Sequence, residues 1–173
     1  KTMIQYFDGD VGIVTGFVLF DKGKEQTLFH KVQSLEFLSL VIAGAGSIGL
    51  DMPIIGNGAN LAYRRSVFYK VDGFEGIDNF QSGDDDLFIQ KVAKFTKWKI
   101  RCAIELTSII TTNPVTTVKQ FLQQRIRWAS KGVHYQNLYL VFYLISAYMC
   151  YIILFISLPF SIINFIYQKY LKY

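Results

Sequence analysis

Asp84, Asp85 and Asp86 form the sharpest concentration of reactive side chains in the sequence. Neighbouring carboxylates repel one another, so folding alone gives little reason to place three together. One of them, presented at a helix start by a Gly-containing loop, could act as a general base or bind a cation. A capping account competes. Ser82 followed three residues later by Asp85 fits a capping box, and acids in a first helical turn gain about 0.3–1 kcal/mol from the helix dipole. About 40 residues downstream, Gln124, Arg127 and Trp128 fall at i, i+3 and i+4, opposite an apolar stripe of Leu122, Ile126, Ala129 and Val133. Their N–H donors and flat indole suit a diphosphate or a sugar ring. The same helix would also rest on a membrane surface by a basic, aromatic face.

Other reactive residues carry less. Asp8-Gly9-Asp10 has the spacing of a chelating pair, but a central Gly directly before a strand reads as a turn. His30 and His134 have no acidic partner in sequence and read as packed or solvated histidines. Cys102 and Cys150 suggest neither a disulfide framework nor a metal cluster, which fits a reducing, cytosol-facing location. No metal ligands are assigned.

The elements that must position these groups alternate between strand and helix. Val11–Phe20 reads as a buried strand after the Asp8–Asp10 turn. Leu28, Val32, Leu35, Leu38 and Ile42 recur at helical steps and predict a helix with that face buried, ended by Gly44, Gly46 and Gly49. Ile54–Tyr63 contains Gly56 and Gly58 and leads into a short strand, and Ser66 starts a helical turn. Leu87–Phe95 follows as a helix with the acidic triplet at its start. Trp98–Ala103 and Leu106–Thr111 read as strands, and Thr116 or Thr117 caps a helix to about Gly132. This alternation predicts an α/β layered domain.

Composition adds a second solvent. The chain has 173 residues, 51% of them apolar and 18% charged, which excludes a disordered tail. Its mean hydropathy of +0.27 is uneven: Tyr135–Gln168 contains no Asp, Glu, Lys or Arg. All 13 acidic residues lie at or before Glu105, so the formal +5 charge is C-terminal in origin. Arg125, Arg127 and Lys131 stand before the uncharged stretch and Lys169 and Lys172 after it, the flanking of a membrane helix rather than a nucleic-acid face. Leu138–Ile166 exceeds the roughly 20 residues needed to cross a bilayer. Pro159 would kink that span or divide it from an interfacial piece ending in Tyr167, Tyr170 and Tyr173. The chain opens on Lys1 with no basic-then-apolar leader, which reads as a piece of a longer protein.

Gly56–Arg65 (GNGANLAYRR), Ser82–Phe88 (SGDDDLF) and Gln124, Arg127 and Trp128 as a QxxRW motif, in that order and before a membrane stretch, resemble the second half of a processive-type family 2 glycosyltransferase. The cellulose, chitin and hyaluronan synthase group shares the pattern, and the resemblance covers essentially the whole chain. It implies an α/β GT-A fold, Rossmann-like, here its C-terminal part, followed by an interfacial helix and a transmembrane helix. It also implies inverting transfer from a nucleotide-diphosphate sugar to a saccharide or lipid acceptor. Asp84 and Asp85 take the place of the family's acidic pair, with Asp85 as the base and Asp86 at a variable position. Gln124, Arg127 and Trp128 would border the diphosphate and acceptor, and Asn57, Gly58 and Asn60 would line the acceptor side. The family's nucleotide-binding half and its Asp-x-Asp have no counterpart in the chain. A divalent cation, Mg²⁺ or Mn²⁺, is therefore expected for the full-length enzyme through ligands outside this sequence, and the fragment alone is expected to be inactive.

The expected organisation is a partial catalytic domain over 1–115, an amphipathic interfacial helix over 116–134, and a membrane segment with a short tail over 135–173. The catalytic part would face the cytosol, with no nucleic-acid partner. The rival from another class is a noncatalytic membrane-anchored interaction module, in which the acidic loop is a cap and the QRW face meets lipid or a partner. That rival predicts no coupling between the two regions.

Overall fold

The computed structural model describes residues 2–24, 27–77 and 83–130, with scattered helical positions between 142 and 167. In chain order the elements are β1 (Val11–Gly16), β2 (Val18–Phe20), α1 (Leu28–Gly49), β3 (Leu61–Tyr63), α2 (Arg65–Lys70), α3 (Asp84–Phe95), β4 (Lys99–Ala103), β5 (Ile110–Thr112) and α4 (Val118–Ala129). Strands and helices alternate, giving a mixed α/β arrangement with two small sheets.

Every residue of β1 is buried, as expected of a central strand. It pairs antiparallel with β3, Ile13 opposite Tyr63 and Thr15 opposite Leu61, and parallel with β4, Thr15 opposite Cys102 and Gly16 opposite Ala103. The single strand expected over Val11–Phe20 is instead two. At Phe17 the chain leaves the first sheet, and β2 pairs in parallel with β5, Val18 opposite Ile110 and Phe20 opposite Thr112. The Phe17 carbonyl is the junction, accepting from Ile110 N at 3.1 Å and from the Asn60 amide at 3.0 Å. An unbroken apolar run gives no sign of such a change of sheet. The strand expected over Leu106–Thr111 likewise opens as a 3₁₀ turn, Leu106–Ser108, before β5.

The main core lies between the first sheet and α2, α3 and the end of α1. Ile13, Ile48, Val67, Phe88, Ile89 and Val92 form its centre. Tyr63, Phe68 and Phe74 pack around Phe88 with ring centroids 4.9–5.8 Å apart. Arg64 clasps one end of the sheet. It donates to the Val11 and Phe7 carbonyls at 2.8 and 3.1 Å and lies over the Phe7 and Trp98 rings. Toward the other end of β4, Cys102 is half-buried, and burial pushes its thiol up.

The face expected to be buried on α1 is the wrong one. Leu28, Val32, Leu35 and Ile42 are 55–78% exposed and Leu38 is half-buried, while Gln33, Phe37, Gly44 and Ile48 are buried. The helix also continues through Gly44 and Gly46 to Gly49, rather than ending at the first of them. The reason is that α1 is apolar on nearly every side, so periodicity does not choose a face. Specific partners do: Gln33 Nε2 donates to the Val115 carbonyl at 3.0 Å, and Phe37 stacks on Phe20 at 4.7 Å. By length and composition α1 could itself cross a membrane. One side is committed to the domain, and the opposite side is an exposed apolar face.

The chain divides into two compact units, 1–131 and 132–173. In the second, Phe142, Ile145, Met149, Ile152, Ile153, Ile156 and Phe160 are helical positions with exposed side chains. Most of the stretch expected to span a bilayer, with Tyr170, Tyr173, Lys169 and Lys172, lies outside the described residues.

Candidate functional site

Two clusters carry the candidate chemistry, and the first is a loop latched to a helix. α3 starts at Asp84, with Gly83 as its N-cap at φ 100°, a conformation that favours glycine, and no side-chain cap. The capping box expected from Ser82 would start the helix one residue earlier and is not the one formed; Ser82 lies outside the described residues.

The three acids then point three ways. Asp84 is exposed, Asp85 is half-buried and Asp86 is 4% exposed. Asp86 Oδ1 accepts from Gly56 N at 2.8 Å, and Asp85 Oδ2 accepts from Gly58 N at 2.7 Å. Asp85 Oδ1 accepts from Asp86 N at 2.9 Å. One turn on, Gln90 Nε2 donates to the Ile54 carbonyl at 2.8 Å. Loop 54–58 is thereby fastened along the first two turns of α3.

Gly56 permits the approach. A Cβ there would stand 2.1 Å from Ile89 Cδ1, inside the core. Gly56→Ala is expected to cost about 1–3 kcal/mol by overpacking. Ile89→Val removes the offending methyl, so the double variant should be less destabilised than the two single variants summed, as read by denaturant unfolding.

Of the expected acceptor-side residues, Gly58 touches Asp85 directly. Asn57 caps its own short turn, its Oδ1 accepting from Ala59 N at 3.1 Å. Asn60 is buried, and its amide donates to the Phe17 and Ser108 carbonyls at 3.0 and 2.8 Å. It ties the two sheets together instead of lining an open surface.

The second cluster is α4 against α1. Thr117 caps α4 in a capping box with Gln120. Phe121 meets Phe29 edge-on at 5.8 Å, and Trp128 lies 5.9 Å from the Phe37 ring. Gln124 and Trp128 are half-buried on this side, whereas Arg127 is exposed. Val118, Leu122 and Ile126 are 53–69% exposed, so the apolar stripe of α4 faces outward. Arg125, absent from the expected site, is the most connected side chain here. It pairs with Glu36 through two N–H donors, Nε at 2.8 Å from Oε1 and Nη2 on Oε2, while Nη1 donates to Gln124 Oε1 at 2.8 Å. Its aromatic neighbours at i−4 and i+3 were legible in sequence.

The clusters share one support. Phe37 carries Trp128, and two turns later Ile55 packs against Gly44 while Ser47 Oγ accepts from Ile54 N at 3.3 Å. Phe37 and Gly44 lie on the same buried face of α1. Seven residues separate them, about 10 Å along the axis and close to two full turns. A carboxylate fixed by backbone N–H groups and an indole beside several donors thus hang from one helix.

Asp8–Asp10 is a turn, with Val11 N donating to the Asp8 carbonyl at 2.8 Å. Lys99 donates to Asp10 at 2.8 Å and holds that carboxyl below its ordinary range. His30 packs beside Phe29, and His134 lies outside the described residues. Among the described residues no group of three His, Cys, Asp or Glu is arranged to hold a metal. A hollow of about 760 Å³ is lined by Gly9, Asp10, Lys70 and residues 94–98, none of which belongs to either cluster.

The sequence matches a family described as "Glycosyl transferase family group 2" over residues 3–172. No curated protein matches the chain significantly.

Proposed function

The chain belongs to glycosyl transferase family group 2, and from that premise we propose that it works in a membrane-attached, inverting, processive-type enzyme of the cellulose, chitin and hyaluronan synthase kind. The donor is a nucleotide-diphosphate sugar and the acceptor a saccharide or a lipid. Asp85 takes the proton of the acceptor hydroxyl as its oxygen attacks the anomeric carbon. The bond from that carbon to the diphosphate breaks on the opposite face, and its electron pair leaves with the phosphate. Configuration inverts because attack and departure are in line. Gln124, Arg127 and Trp128 border the diphosphate and the acceptor ring and offset the charge that develops on the leaving group.

The observation that carries this reading is the common support. Asp85 is held by Gly58 on a loop seated on α1, and Trp128 is seated on the same face of that helix, their seats Gly44 and Phe37 lying about 10 Å apart along its axis. A noncatalytic module gives no reason for one helix to hold both groups in phase.

Attachment to a bilayer is supported by two outward apolar faces, Leu28, Val32, Leu35 and Ile42 on α1 and Val118, Leu122 and Ile126 on α4. The proposed side is the cytosol, where nucleotide sugars are made. A divalent cation, Mg²⁺ or Mn²⁺, is part of the proposal for the full-length enzyme. Its hard-oxygen ligands find no matching cluster among the described residues, and no step above runs through it.

The test is transfer itself. Full-length chain in native membranes, given a panel of labelled nucleotide-diphosphate sugars, should release nucleoside diphosphate and incorporate label into a saccharide or lipid product. No incorporation from any donor in the panel overturns the proposal.

A further inference from the structure

Arg125 lies inside the QxxRW helix but at neither a Gln, Arg nor Trp position of the motif. Its guanidinium carbon sits 4.2 Å from the Trp128 ring centroid and 4.4 Å from that of Phe121. Through Nη1 it also holds Gln124 at 2.8 Å. One planar cation therefore touches two of the three motif side chains. Its remaining edge is fixed from outside the helix, since Nε and Nη2 both donate to the Glu36 carboxylate on α1. The pair spans 89 positions of sequence and is half sheltered, with the Arg125 side chain 17% exposed and Glu36 37%. Trp128 has Arg125 and Phe37 as its flat neighbours, and both are oriented from α1.

We propose that Glu36 is a positioning residue for acceptor binding, locking the Arg125 guanidinium against Trp128 and Gln124 so that the indole and amide are preset for the sugar ring. This rests on the transferase reading for its consequence, while the geometry of the clamp stands apart from it. A bidentate carboxylate–guanidinium pair fixes both the plane and the distance of the cation, which a neutral amide or a lysine does not. With the carboxylate gone, Arg125 is free to swing into solvent. Trp128 then loses one wall and Gln124 its donor. Binding of a ring that stacks on Trp128 suffers, whereas the proton transfer at Asp85 does not depend on Glu36.

The experiment uses the full chain in membranes with Glu36→Gln, Glu36→Asp and Arg125→Lys. Glu36→Gln and Arg125→Lys should each raise the acceptor KM about tenfold, the loss of one charge-assisted contact, whereas a purely structural role would lower the amount of folded enzyme with the acceptor KM unchanged. Glu36→Asp, which keeps the carboxylate, should recover part of that loss. A second readout does not need turnover. The Trp128 component of the emission is isolated by difference against Trp128→Phe, with acrylamide as the quencher. Glu36→Gln should raise the quenching of the Trp128 component about twofold, on the logic that an unstacked indole is more open to solvent. Unchanged quenching overturns the clamp, and changed quenching with an unchanged acceptor KM overturns the positioning role. A wild-type chain that transfers no sugar refutes the transferase reading, yet the quenching comparison still decides the clamp.

Discussion

Asp85→Asn in the full-length chain should reduce sugar transfer by about 10²–10⁴-fold, the usual worth of a positioned general base. The substitution is isosteric and keeps a side-chain oxygen for Gly58 N or Asp86 N, so the loop stays seated. What it removes is a carboxylate able to accept the acceptor's proton. Retained nucleotide-sugar binding and cooperative unfolding should accompany the loss, with a modest fall in stability because one of the two N–H groups held by Asp85 loses its acceptor. Turnover near the wild-type rate would take Asp85 out of the mechanism. Asp84→Asn measures the first acid of the pair separately, and since Asp84 is exposed its loss should cost little stability.

Asp86→Ala should give the opposite signature. Its carboxylate is 4% exposed and holds Gly56 N at 2.8 Å, so truncation leaves a part-buried amide without its charged acceptor. A loss of about 1.5–3 kcal/mol in unfolding free energy is expected, the range for hydrogen bonds to charged groups. Activity should fall with it, because Gly56 and Gly58 belong to one loop and Asp85 is aimed by the latter. Asp86→Asn, which keeps an oxygen for Gly56, should lose less. Denaturant unfolding beside the transfer assay separates the two acids. Asp85→Asn costs chemistry far more than stability, and Asp86→Ala costs stability first. An Asp86→Ala protein as stable as wild type would remove Asp86 from the latch.

Much of this was legible in the residues themselves. Gly-rich loop, acidic helix start and the cap at Thr117 are short-range signals, each written within a few positions, and the structure places a strand, a helix or a turn at each. Their order resembles a family 2 glycosyltransferase, and the sequence matches that family over residues 3–172. Long-range choices were not legible. An apolar helix such as α1 does not announce which side it buries, and Gln33, a polar residue, decided the matter through Val115. The break at Phe17 depends on Asn60, a residue 43 positions away. Three identical carboxylates in a row look alike until the loop they bind is known, and only then does Asp86 separate from Asp85. Glu36 and Arg125 meet across 89 residues, a distance at which no local pattern speaks.

The seven-residue interval between Phe37 and Gly44 acts as a ruler, and a ruler tolerates repainting but not recutting. Exchanging Ser39 or Ile42 for another helix former changes only what the helix shows to its surroundings, since both are exposed. Inserting or deleting one residue there would advance or retract one end by 1.5 Å and turn it by about 100°, swinging Trp128's seat away from the loop that aims Asp85. Substitutions at the exposed positions of that segment are therefore expected to be tolerated where a change of its length is not.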